Sequence, residues 1–300
     1  MNNLLQILQQ AGVPYRLPPD KYVRAGWVGI PCPKCAPDSG KFRLGIELDS
    51  GRSHCWVCGS FYTPEILALV LRKSQREVHE LIGKLPRHRV AEPTERHGVL
   101  TPPAGIGDLS AGHRAYLIGR GLDPDEISRV WGVRGIGHAP RLKWRLYIPI
   151  HNRTGRVVSW TTRSIAPETE RRYWAADESE EEVYHKSLLY GAHLARHVII
   201  IVEGPIDAWA IGPGAVATCG VGFTAQQKAL MADYPVRVVL FDAEPDAQRR
   251  AEALCEDLCL IPGRTENLLL ETGNDPADAD RAEVAEIRRR YFPEIYAAAA

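Results

Sequence analysis

The hydrophobic pattern of the chain changes near residue 196. Beyond that point, runs of aliphatic residues lead into amphipathic segments, as in "HVIIIVEG" before "PIDAWAIG" and "VRVVLFDAE" before "PDAQRRAEALCEDL". Strands that are aliphatic throughout are buried on both faces, which is typical of a parallel sheet covered by helices. The pattern therefore predicts alternating strands and helices around a mainly parallel sheet, and an α/β protein.

Alternating and helical patterns precede residue 196. The stretch "RLYIPIHNRTGRVVSWTTRSI" alternates around the turn "HNRTG" and predicts a β-hairpin. The stretch "SAGHRAYLIGRGLDPDEISRVWGV" predicts two helices, the second capped by Asp123. In "TPEILALVLRKSQREVHELIGKL" we expect two short helices, with Thr63 as the first N-cap and a Ser74–Glu77 capping box at the second. The N-terminal "MNNLLQILQQAGV" predicts a short amphipathic helix.

One segment has no periodicity and reads as a linker. Residues 86–107, "PRHRVAEPTERHGVLTPPAGIG", combine proline, glycine and charge. The expected domains are therefore an N-terminal unit at 1–85, the linker at 86–107, a basic α+β subdomain at 108–195 and the strand–helix subdomain with C-terminal helices at 196–300.

The composition and net charge of the chain exclude few classes of function. Lys+Arg and Asp+Glu both number 37, so net charge argues neither for nor against a nucleic-acid partner. Nine basic residues and two acidic ones lie between Arg134 and Arg172, and the acidic run "DESEEE" at 177–182 follows without an evident role. No stretch reaches the roughly 18 apolar residues of a membrane span. The N-terminus lacks the features of a signal peptide, so we expect a cytoplasmic protein with reduced cysteines and no membrane partner.

Four of the seven cysteines form two pairs, Cys32 with Cys35 and Cys55 with Cys58. Two C-x-x-C knuckles separated by 19 residues supply four thiolates, which suits tetrahedral zinc about 2.3 Å from each sulfur. The segments between them alternate like short strands, so the sequence predicts a zinc ribbon. Because four thiolates leave no open coordination position, the zinc is expected to be structural.

Several side chains on or beside the ribbon strands suit contact with unstacked bases: Arg43, Arg52, His54 and Trp56. Aromatic rings stack on bases, and cationic side chains bind the phosphate backbone. An alternative is that Trp56 covers the small core of the ribbon.

Carboxylates follow the predicted strands of the last third of the chain. Glu203 and Asp242 come directly after aliphatic strands, at the edge where doubly wound sheets bind ligands. Further carboxylates lie close by in the sequence: Asp207, Glu244, Asp275 and Asp278. Oxygen ligands gathered in this way suit Mg²⁺ or Mn²⁺. For Asp207 and Asp278, a helix N-cap role is an equally good interpretation.

These motifs together resemble a known family. "VEGPID", "FDAEPDA" and "NDPAD" are similar to the motifs of the TOPRIM domain, a Rossmann-like fold found in primases, topoisomerases and some nucleases. "RLYIPIHNRTGRVVSWTTRSI" and "VYHKSLLYGAHLA" resemble the basic subdomain that precedes TOPRIM in bacterial and phage DNA primases. With the four-cysteine ribbon in front, the similarity covers nearly the whole chain and follows the primase order.

The resemblance implies roles for individual residues. Glu203 would be the catalytic glutamate, and Asp242 with Glu244 the paired metal ligands, assisted by Asp275 and Asp278. Three cations would grip the nucleoside triphosphate and the template: Arg145, Arg163 and Lys186. The second metal motif usually reads Asp-x-Asp, so Glu244 departs from it and offers a longer arm to the metal.

The function implied is that of a phage- or plasmid-type DNA primase in a bacterial cell. Such an enzyme makes short RNA primers on single-stranded DNA from NTPs by two-metal nucleotidyl transfer, with a replicative helicase acting in trans. Two alternatives remain open at this stage: a TOPRIM-type metal-dependent nuclease, and a non-catalytic zinc-ribbon protein that binds nucleic acid.

Overall fold

The computed structural model describes residues 4–35, 37, 40–83, 98–220 and 222–296. The helices are α1 (Leu4–Gln10), α2 (Thr63–Leu71), α3 (Gln75–Ile82), α4 (Ala111–Gly119), α5 (Pro124–Trp131), α6 (Pro205–Ile211), α7 (Ala225–Ala232), α8 (Pro245–Leu258), α9 (Arg281–Tyr291) and α10 (Pro293–Tyr296). The strands are β1 (Trp27–Ile30), β2 (Leu44–Glu47), β3 (Ser53–Cys55), β4 (Gly59–Phe61), β5 (Ile106–Gly107), β6 (Arg134–Ile136), β7 (Arg145–His151), β8 (Val157–Ser164), β9 (Tyr173–Ala175), β10 (Val198–Val202), β11 (Ala215–Ala217), β12 (Val236–Val239) and β13 (Arg264–Asn267). These elements confirm the predicted α/β class.

Backbone contacts divide the chain into two units that differ from the domains expected from the sequence. The first comprises Met1–Val90, Met231–Val239 and Pro245–Leu268, and the second comprises Ala91–Leu230, Leu240–Glu244 and Leu269–Ala300. The sequence instead groups everything beyond residue 196 in one subdomain. Strand pairing explains the difference, because β13 pairs with β4 next to the cysteines and brings β12 and α8 with it.

The first unit is built on an antiparallel ribbon that is extended by two parallel strands. Its strands lie in the order β1-β2-β3-β4-β13-β12, with β4 antiparallel to β13 at Phe61 and Arg264. The strands β12 and β13 run parallel. The ribbon's buried side chains come from α1, β1, β2, α2 and α3, and include Leu8, Ile30, Leu44, Leu67 and Val78.

The starts of helices α2 and α3 test two of the predicted caps in the first unit. The Ser74 capping box is confirmed, since Glu77 N–H donates to Ser74 Oγ and Ser74 N–H donates to Glu77 Oε2. The predicted N-cap at Thr63 is wrong by one residue, because Tyr62 occupies that position. The Thr63 hydroxyl instead donates to the Gly51 carbonyl, which attaches the start of α2 to the turn before β3.

The second unit contains an antiparallel sheet in the order β5-β6-β7-β8-β9 and a parallel pair, β10 with β11. The predicted hairpin is confirmed as β7 and β8, which pair along their length with Tyr147 opposite Thr162. The predicted cap of α5 is confirmed as well, because Asp123 accepts a hydrogen bond from Asp125 N–H. The β11 segment is short and fully buried, as the aliphatic pattern predicts.

The predicted linker at 86–107 is only partly testable. Residues 86–97 lie outside the described residues. At its other end, the expectation is wrong for Ile106 and Gly107, which form β5 and pair with Ile136 and Gly135 of β6. Within the part of the chain that the structure describes, no helix has the length and apolar character needed to cross a membrane.

Candidate active site and four-cysteine centre

The four predicted cysteines converge between the ends of β1, β3 and β4. Cys32 Sγ lies 3.9 Å from Cys58 Sγ, and Cys35 Sγ lies 3.7 Å from Cys55 Sγ. A tetrahedron with metal–sulfur bonds of about 2.3 Å requires sulfur separations of about 3.8 Å, so these distances fit a single zinc ion. All four ligand atoms lie within 4.8 Å of one another, which makes this a four-cysteine zinc-binding site.

The protein around the quartet disfavours bare thiolates at Cys55 and Cys58. Burial raises the pKa of the Cys55 thiol to about 11 and raises that of Cys58 as well. At these two positions, thiolates at neutral pH therefore need the charge of a bound cation, which zinc would supply.

A cavity of about 760 Å³ opens on the ribbon beside this centre. It is lined by cations, aromatic rings and one carboxylate: Arg16, Lys21, Arg24, Lys41, Arg43, Tyr22, Phe42, Trp56 and Asp20, with Val23 and Gly40. The rings carry cations on their faces, with the Arg16 guanidinium 4.5 Å from the Phe42 centroid and the Arg24 guanidinium 5.5 Å from that of Trp56. Tyr22 and Trp56 are 67% and 53% exposed, so both rings remain accessible for stacking.

Of the four ribbon residues proposed from sequence for DNA contact, two line this cavity and two do not. Arg43 and Trp56 line it. Arg52 is bound to Glu47 at 2.9 Å and to Glu256 at 3.0 Å. His54 stands edge-on to Trp56 with ring centroids 5.1 Å apart, and burial lowers the pKa of its imidazole. Arg52 and His54 therefore support the ribbon from within.

A second cavity, of about 510 Å³, lies in the second unit. Its polar lining combines four carboxylates, Glu203, Asp207, Asp242 and Asp275, with five basic side chains, Arg120, Arg163, Arg172, His185 and Lys186. Thr161, Ala175 and Tyr173 from β8 and β9 complete one wall. Carboxylates beside cations in one cleft suit a metal ion together with a polyphosphate ligand.

The fold brings the carboxylates together through short backbone links. Glu203 follows β10, and Asp242 follows a segment in which Leu240 N–H donates to the Ile201 carbonyl at 2.9 Å. Asp275 is brought alongside because Ala243 N–H donates to the Asn274 carbonyl at 2.8 Å.

Asp207 combines a capping role with a place in the cavity. Its Oδ2 accepts a hydrogen bond from Gly204 N–H at 3.1 Å. The N-cap role considered for Asp207 is wrong, because Gly204 is the N-cap of α6 and Asp207 is the third helical residue. Burial, followed by the charges of Asp275, Asp242 and Glu203, raises the pKa of Asp207 to about 8. Four carboxylates are therefore close enough to repel one another, a situation that a divalent cation relieves.

Two carboxylates proposed from sequence as metal ligands lie elsewhere. Glu244 and Asp278 are exposed, and neither lines the cavity. Among the described residues, the cysteine quartet is the one group of three or more His, Cys, Asp or Glu whose ligand atoms all lie within 4.8 Å of one another. The oxygen atoms of the cavity carboxylates are thus farther apart than the ligand atoms of a closed metal site.

The three predicted nucleotide-binding cations have different environments. Arg163 lines the cavity, with Nε donating to Tyr116 Oη at 3.1 Å and its guanidinium 4.8 Å from the Tyr173 ring centroid. Lys186 also lines it and donates from Nζ to the Cys219 carbonyl. Arg145 is 7% exposed and does not line the cavity.

The guanidinium of Arg145 is committed to the protein. Nε donates to Thr162 Oγ1 at 2.9 Å, and Nη2 donates to the carbonyls of Arg171 and Arg172. Burial, followed by the nearby Arg163 charge, lowers its pKa. Arg145 therefore holds β7 against β8 and the segment before β9.

Sequence reasoning missed several cavity residues. Arg120, Arg172 and His185 line the active-site cavity. A signal for His185 is present in "VYHKSLLYG", part of a stretch that carries the family resemblance, and Arg172 ends the basic segment that begins at Arg134. On the ribbon, "DKYVRAGW" alternates charge with aromatic residues, which marks a binding surface once the fold is known.

The acidic run at 177–182 has a structural explanation. Arg141 binds Asp177 at 2.6 Å and Glu180 at 2.9 Å, and Arg156 binds Glu182. Three of its five carboxylates therefore pair with arginines of the basic segment that precedes the run in the sequence. Glu181 differs from its neighbours because its side chain is only 1% exposed.

Comparison with known proteins identifies the fold. No protein-family model matches the sequence. The DNA primase of Synechococcus elongatus is 34% identical over 132 residues, which cover 39% of this chain and 19% of that primase. The Aquifex aeolicus primase structure, containing zinc-binding and RNA polymerase domains, matches with a TM-score of 0.50 and 15% identity over 96% of this chain and 82% of that one. The chain has the fold of a bacterial DNA primase.

The Aquifex aeolicus primase joins a zinc-binding domain to an RNA polymerase domain, and its match spans both the four-cysteine ribbon and the carboxylate cavity of this chain. The RNA polymerase domain of Mycobacterium tuberculosis primase gives a TM-score of 0.49 at 22% identity, over 61% of this chain and 77% of that one. The match to the Aquifex aeolicus primase confirms, at the level of the fold, the resemblance inferred from the sequence motifs.

Proposed function

We propose that this protein is a DNA primase of the phage or plasmid type, which synthesises short RNA primers on single-stranded DNA. The observation that carries the proposal is the cavity of the second unit, where four carboxylates and five basic side chains line one cleft in a primase fold. This combination suits nucleotidyl transfer, because the carboxylates can hold divalent cations while the basic groups bind triphosphate oxygens.

The cavity carboxylates fit Mg²⁺ or Mn²⁺ by their chemistry. They offer hard oxygen donors, and the raised pKa of Asp207 reflects a local excess of negative charge that a cation would offset. Glu203 and Asp242 would hold the metal, with Asp207 and Asp275 beside them. When bound, the metal would neutralise charge on the transferred phosphoryl group and the leaving pyrophosphate. Glu244 and Asp278 are left out of this ligand set, because both are exposed outside the cavity.

The protein's own cations would position the nucleotides. Arg163 presents a planar fork that matches phosphate oxygens, and Tyr173 and Tyr116 hold it in place. Lys186 would exchange its contact with the Cys219 carbonyl for a phosphate oxygen. Arg120 and Arg172 are exposed at the cavity and would extend the cationic surface toward the template.

The ribbon would bind the template. Its cavity presents the accessible rings of Tyr22 and Trp56 among five cations, which is the arrangement that suits stacking on unpaired bases and binding their phosphates. We propose that this surface selects the start site, and that a replicative helicase supplied in trans delivers the single strand.

De novo synthesis on mixed-sequence single-stranded DNA tests the proposal. Labelled NTPs would be supplied with Mg²⁺ or Mn²⁺, and the Asp242→Ala protein would be compared with the wild type and with Glu244→Ala as the matched exposed control. Short oligonucleotides from the wild type and the control, but none from Asp242→Ala, would support a primase with its chemistry at the cavity.

Other outcomes point elsewhere. A shortened template without new product would identify the metal-dependent nuclease that the sequence left open. Neither synthesis nor cutting, in the presence of template binding and an added helicase, would favour a zinc-ribbon protein that only binds nucleic acid.

A further inference from the structure

The active-site cavity contains a histidine whose ring orientation is fixed by a buried carboxylate. His185 Nδ1 and its own backbone N–H both lie 3.0 Å from Glu181 Oε2. Ser159 Oγ donates to the same carboxylate oxygen at 2.7 Å. The Glu181 side chain is 1% exposed and that of His185 is 14% exposed, so the pair is enclosed on the carboxylate side.

The carboxylate determines which ring nitrogen is left for a ligand. Burial alone would raise the pKa of Glu181, but hydrogen bonds from His185 and Ser159 outweigh it, and the pKa lies below its usual value. Glu181 is therefore an anion that only accepts hydrogen bonds, which places a proton on His185 Nδ1. The two nitrogens of imidazole point to different sides of the ring, so Nε2 is the nitrogen available to a ligand in the cavity.

The surroundings of His185 indicate a polyanionic ligand. Arg120, Arg163, Arg172 and Lys186 line the same cavity, and Lys186 follows His185 directly in the chain. Donation from Nε2 requires a second ring proton, which would be taken from solvent as the polyanion binds, because the ring can then donate to the Glu181 carboxylate from Nδ1 and to a phosphate oxygen from Nε2.

We propose that His185 is a nucleotide-contacting residue, whose Nε2–H donates to the polyphosphate of the bound nucleoside triphosphate, and that Glu181 is its positioning residue. The inference rests on the proposed function and deepens it, because it names the polyphosphate as the group recognised at this end of the cavity. It also gives the acidic run a specific purpose: Asp177, Glu180 and Glu182 bind arginines, whereas Glu181 turns inward to hold the histidine.

Two substitutions separate contact with the ligand from support of the turn. His185→Asn keeps an amide near the position of Nδ1, so it retains a donor to Glu181 and lacks Nε2. His185→Gln reaches the position of Nε2 and gives up the contact with Glu181. The exposed His197 provides a matched control as His197→Asn, since it lies outside the cavity in the same unit.

Isothermal titration calorimetry with GTP and with GMP, each with Mg²⁺, measures the contact directly on the full chain. We expect His185→Asn to weaken GTP binding about tenfold, which is typical of losing a charge-assisted hydrogen bond, and to leave GMP binding within about twofold. His185→Gln should lose about threefold, and His197→Asn should match the wild type. Unchanged zinc content and melting temperature would establish that each variant is folded.

Ring-nitrogen NMR tests the positioning role of Glu181. In the wild type, the His185 ring should carry its proton on Nδ1, and Mg²⁺–GTP should shift the Nε2 signal. In Glu181→Gln, the side chain keeps one oxygen acceptor, gains an NH2 donor and has no charge. The fixed Nδ1–H preference should then be lost, together with about tenfold in GTP affinity. A merely structural Glu181 would leave the ring tautomer and the GTP shift as they are in the wild type.

The outcomes distinguish this inference from the proposed function. If the wild type makes primers and His185→Asn binds GTP as well as the wild type does, the inference is overturned and the primase assignment stands. If GTP binding depends on His185 but no primers form, the assignment fails while the inference stands. If the wild type does not bind Mg²⁺–GTP, both are overturned.

Discussion

At the scale of the residue, Arg145 and Arg163 of the β7–β8 hairpin have separate roles, although the sequence analysis assigned both to nucleotide binding. Arg145 uses its guanidinium to bind Thr162 and two backbone carbonyls, whereas Arg163 is directed into the cavity beside Tyr173. Both are buried, so burial alone does not separate them. What separates them is the partner: an arginine satisfied by carbonyls contributes to stability, and one at a cavity wall is available to a ligand.

Lysine substitutions at these two positions should therefore have opposite effects. Arg145→Lys cannot satisfy all three acceptors, and we expect it to lose about 2 kcal/mol of unfolding free energy with an unchanged KM for NTPs. Arg163→Lys keeps the charge but loses the planar fork, and we expect KM to rise about tenfold with a smaller loss of stability. Urea unfolding and primer-synthesis kinetics on both variants check the contrast, which a raised KM in Arg145→Lys would contradict.

A half-buried histidine pair makes the stability of the second unit depend on pH. The rings of His151 and His193 lie with centroids 4.1 Å apart, and Nδ1 of each is buried without a hydrogen-bond partner. Burial, followed by the charge of His151, lowers the pKa of His193 to about 4, and burial lowers the pKa of His151 too. Between pH 6.5 and 4 the unfolded chain therefore binds protons that the folded chain does not.

Stability should fall as the pH drops through this range. With a pKa of about 6.5 in the unfolded chain and about 4 in the fold, His193 alone accounts for a loss of about 2 kcal/mol between pH 7.5 and pH 5. Urea unfolding at the two pH values checks this, and His193→Gln should reduce the difference. His197→Asn, a change at an exposed histidine, should leave it as in the wild type.

At this scale, the sequence indicates where a side chain lies when its position after a buried strand determines its surroundings. Glu203 and Asp242 follow buried strands, and the edge of the sheet delivers both to one cavity. The sequence was less informative for Glu244. Its position two residues after Asp242 does not indicate that its side chain is exposed. The inward turn of Glu181 is equally invisible in "DESEEE", since four similar side chains surround it and only the fold selects one for burial.

At the scale of elements, the ribbon depends on a metal and on very short strands. The strands β1 to β4 contain only three or four residues each, which is too few to form a stable sheet without a further constraint. The cysteine quartet provides that constraint by joining the ends of β1 and β3 to the turn before β4.

Removal of zinc should unfold the ribbon. We expect one zinc ion per chain by metal analysis, and loss of the ribbon's protected amides in hydrogen exchange once a strong chelator has removed it. Cys58→Ser should bind zinc far more weakly, whereas Cys255→Ala, at a buried cysteine of α8 outside the quartet, should retain it. A ribbon that keeps its protection after complete chelation would contradict a structural role for the metal.

The ribbon cavity should behave as a base-stacking surface. Tyr22→Ala and Trp56→Ala should each weaken binding to single-stranded DNA by about 1 to 3 kcal/mol, which is the usual contribution of a stacked base. Arg24→Ala should weaken binding. It should also make the slope of log K against log salt concentration shallower by about one, as expected for the loss of one phosphate contact. Fluorescence anisotropy at several salt concentrations measures both effects, with the exposed Leu69→Ala on α2 as a control that should bind normally.

Element prediction succeeded where a pattern is local. The capping box at Ser74, the hairpin of β7 and β8 and the cap of α5 all depend on residues a few positions apart, so the sequence contains the whole signal. The pairing of β4 with β13 joins residues about 200 positions apart and leaves no local trace. The ribbon cavity is likewise assembled from separate loops around Tyr22, Phe42 and Trp56.

At the scale of the whole molecule, the chain passes between its two units five times. The first unit therefore includes β12, α8 and β13 in addition to the N-terminal ribbon, and Arg52 is bound to Glu256 within it. The sequence could not reveal this arrangement. The strand–helix segments beyond residue 196 all have the same hydrophobic pattern, yet some belong to the first unit and others to the second. The domain boundary expected at residue 85 was based on a change in composition, whereas the two observed units are determined by which strands pair.

A fragment containing residues 1–85 alone should be less stable than the same segment in the full chain. It retains the cysteine quartet but exposes the edge of β4 that β13 covers, and it leaves Arg52 without Glu256. We expect zinc binding to persist, with faster amide exchange in β4 and a concentration-dependent tendency to associate. Equal exchange rates at Ser60 and Phe61 in the fragment and the full chain would argue against this dependence.

The pairing of Phe61 with Arg264 also has a consequence for biosynthesis. A ribosome adds about 5 to 20 residues per second, so β4 emerges about 10 to 40 s before the strand that will cover its edge. During that interval the nascent ribbon holds its metal site complete and one strand unpaired. Several ribosomes on one messenger place such unpaired edges near one another, so a chaperone that covers β4 would have its greatest effect on yield during translation.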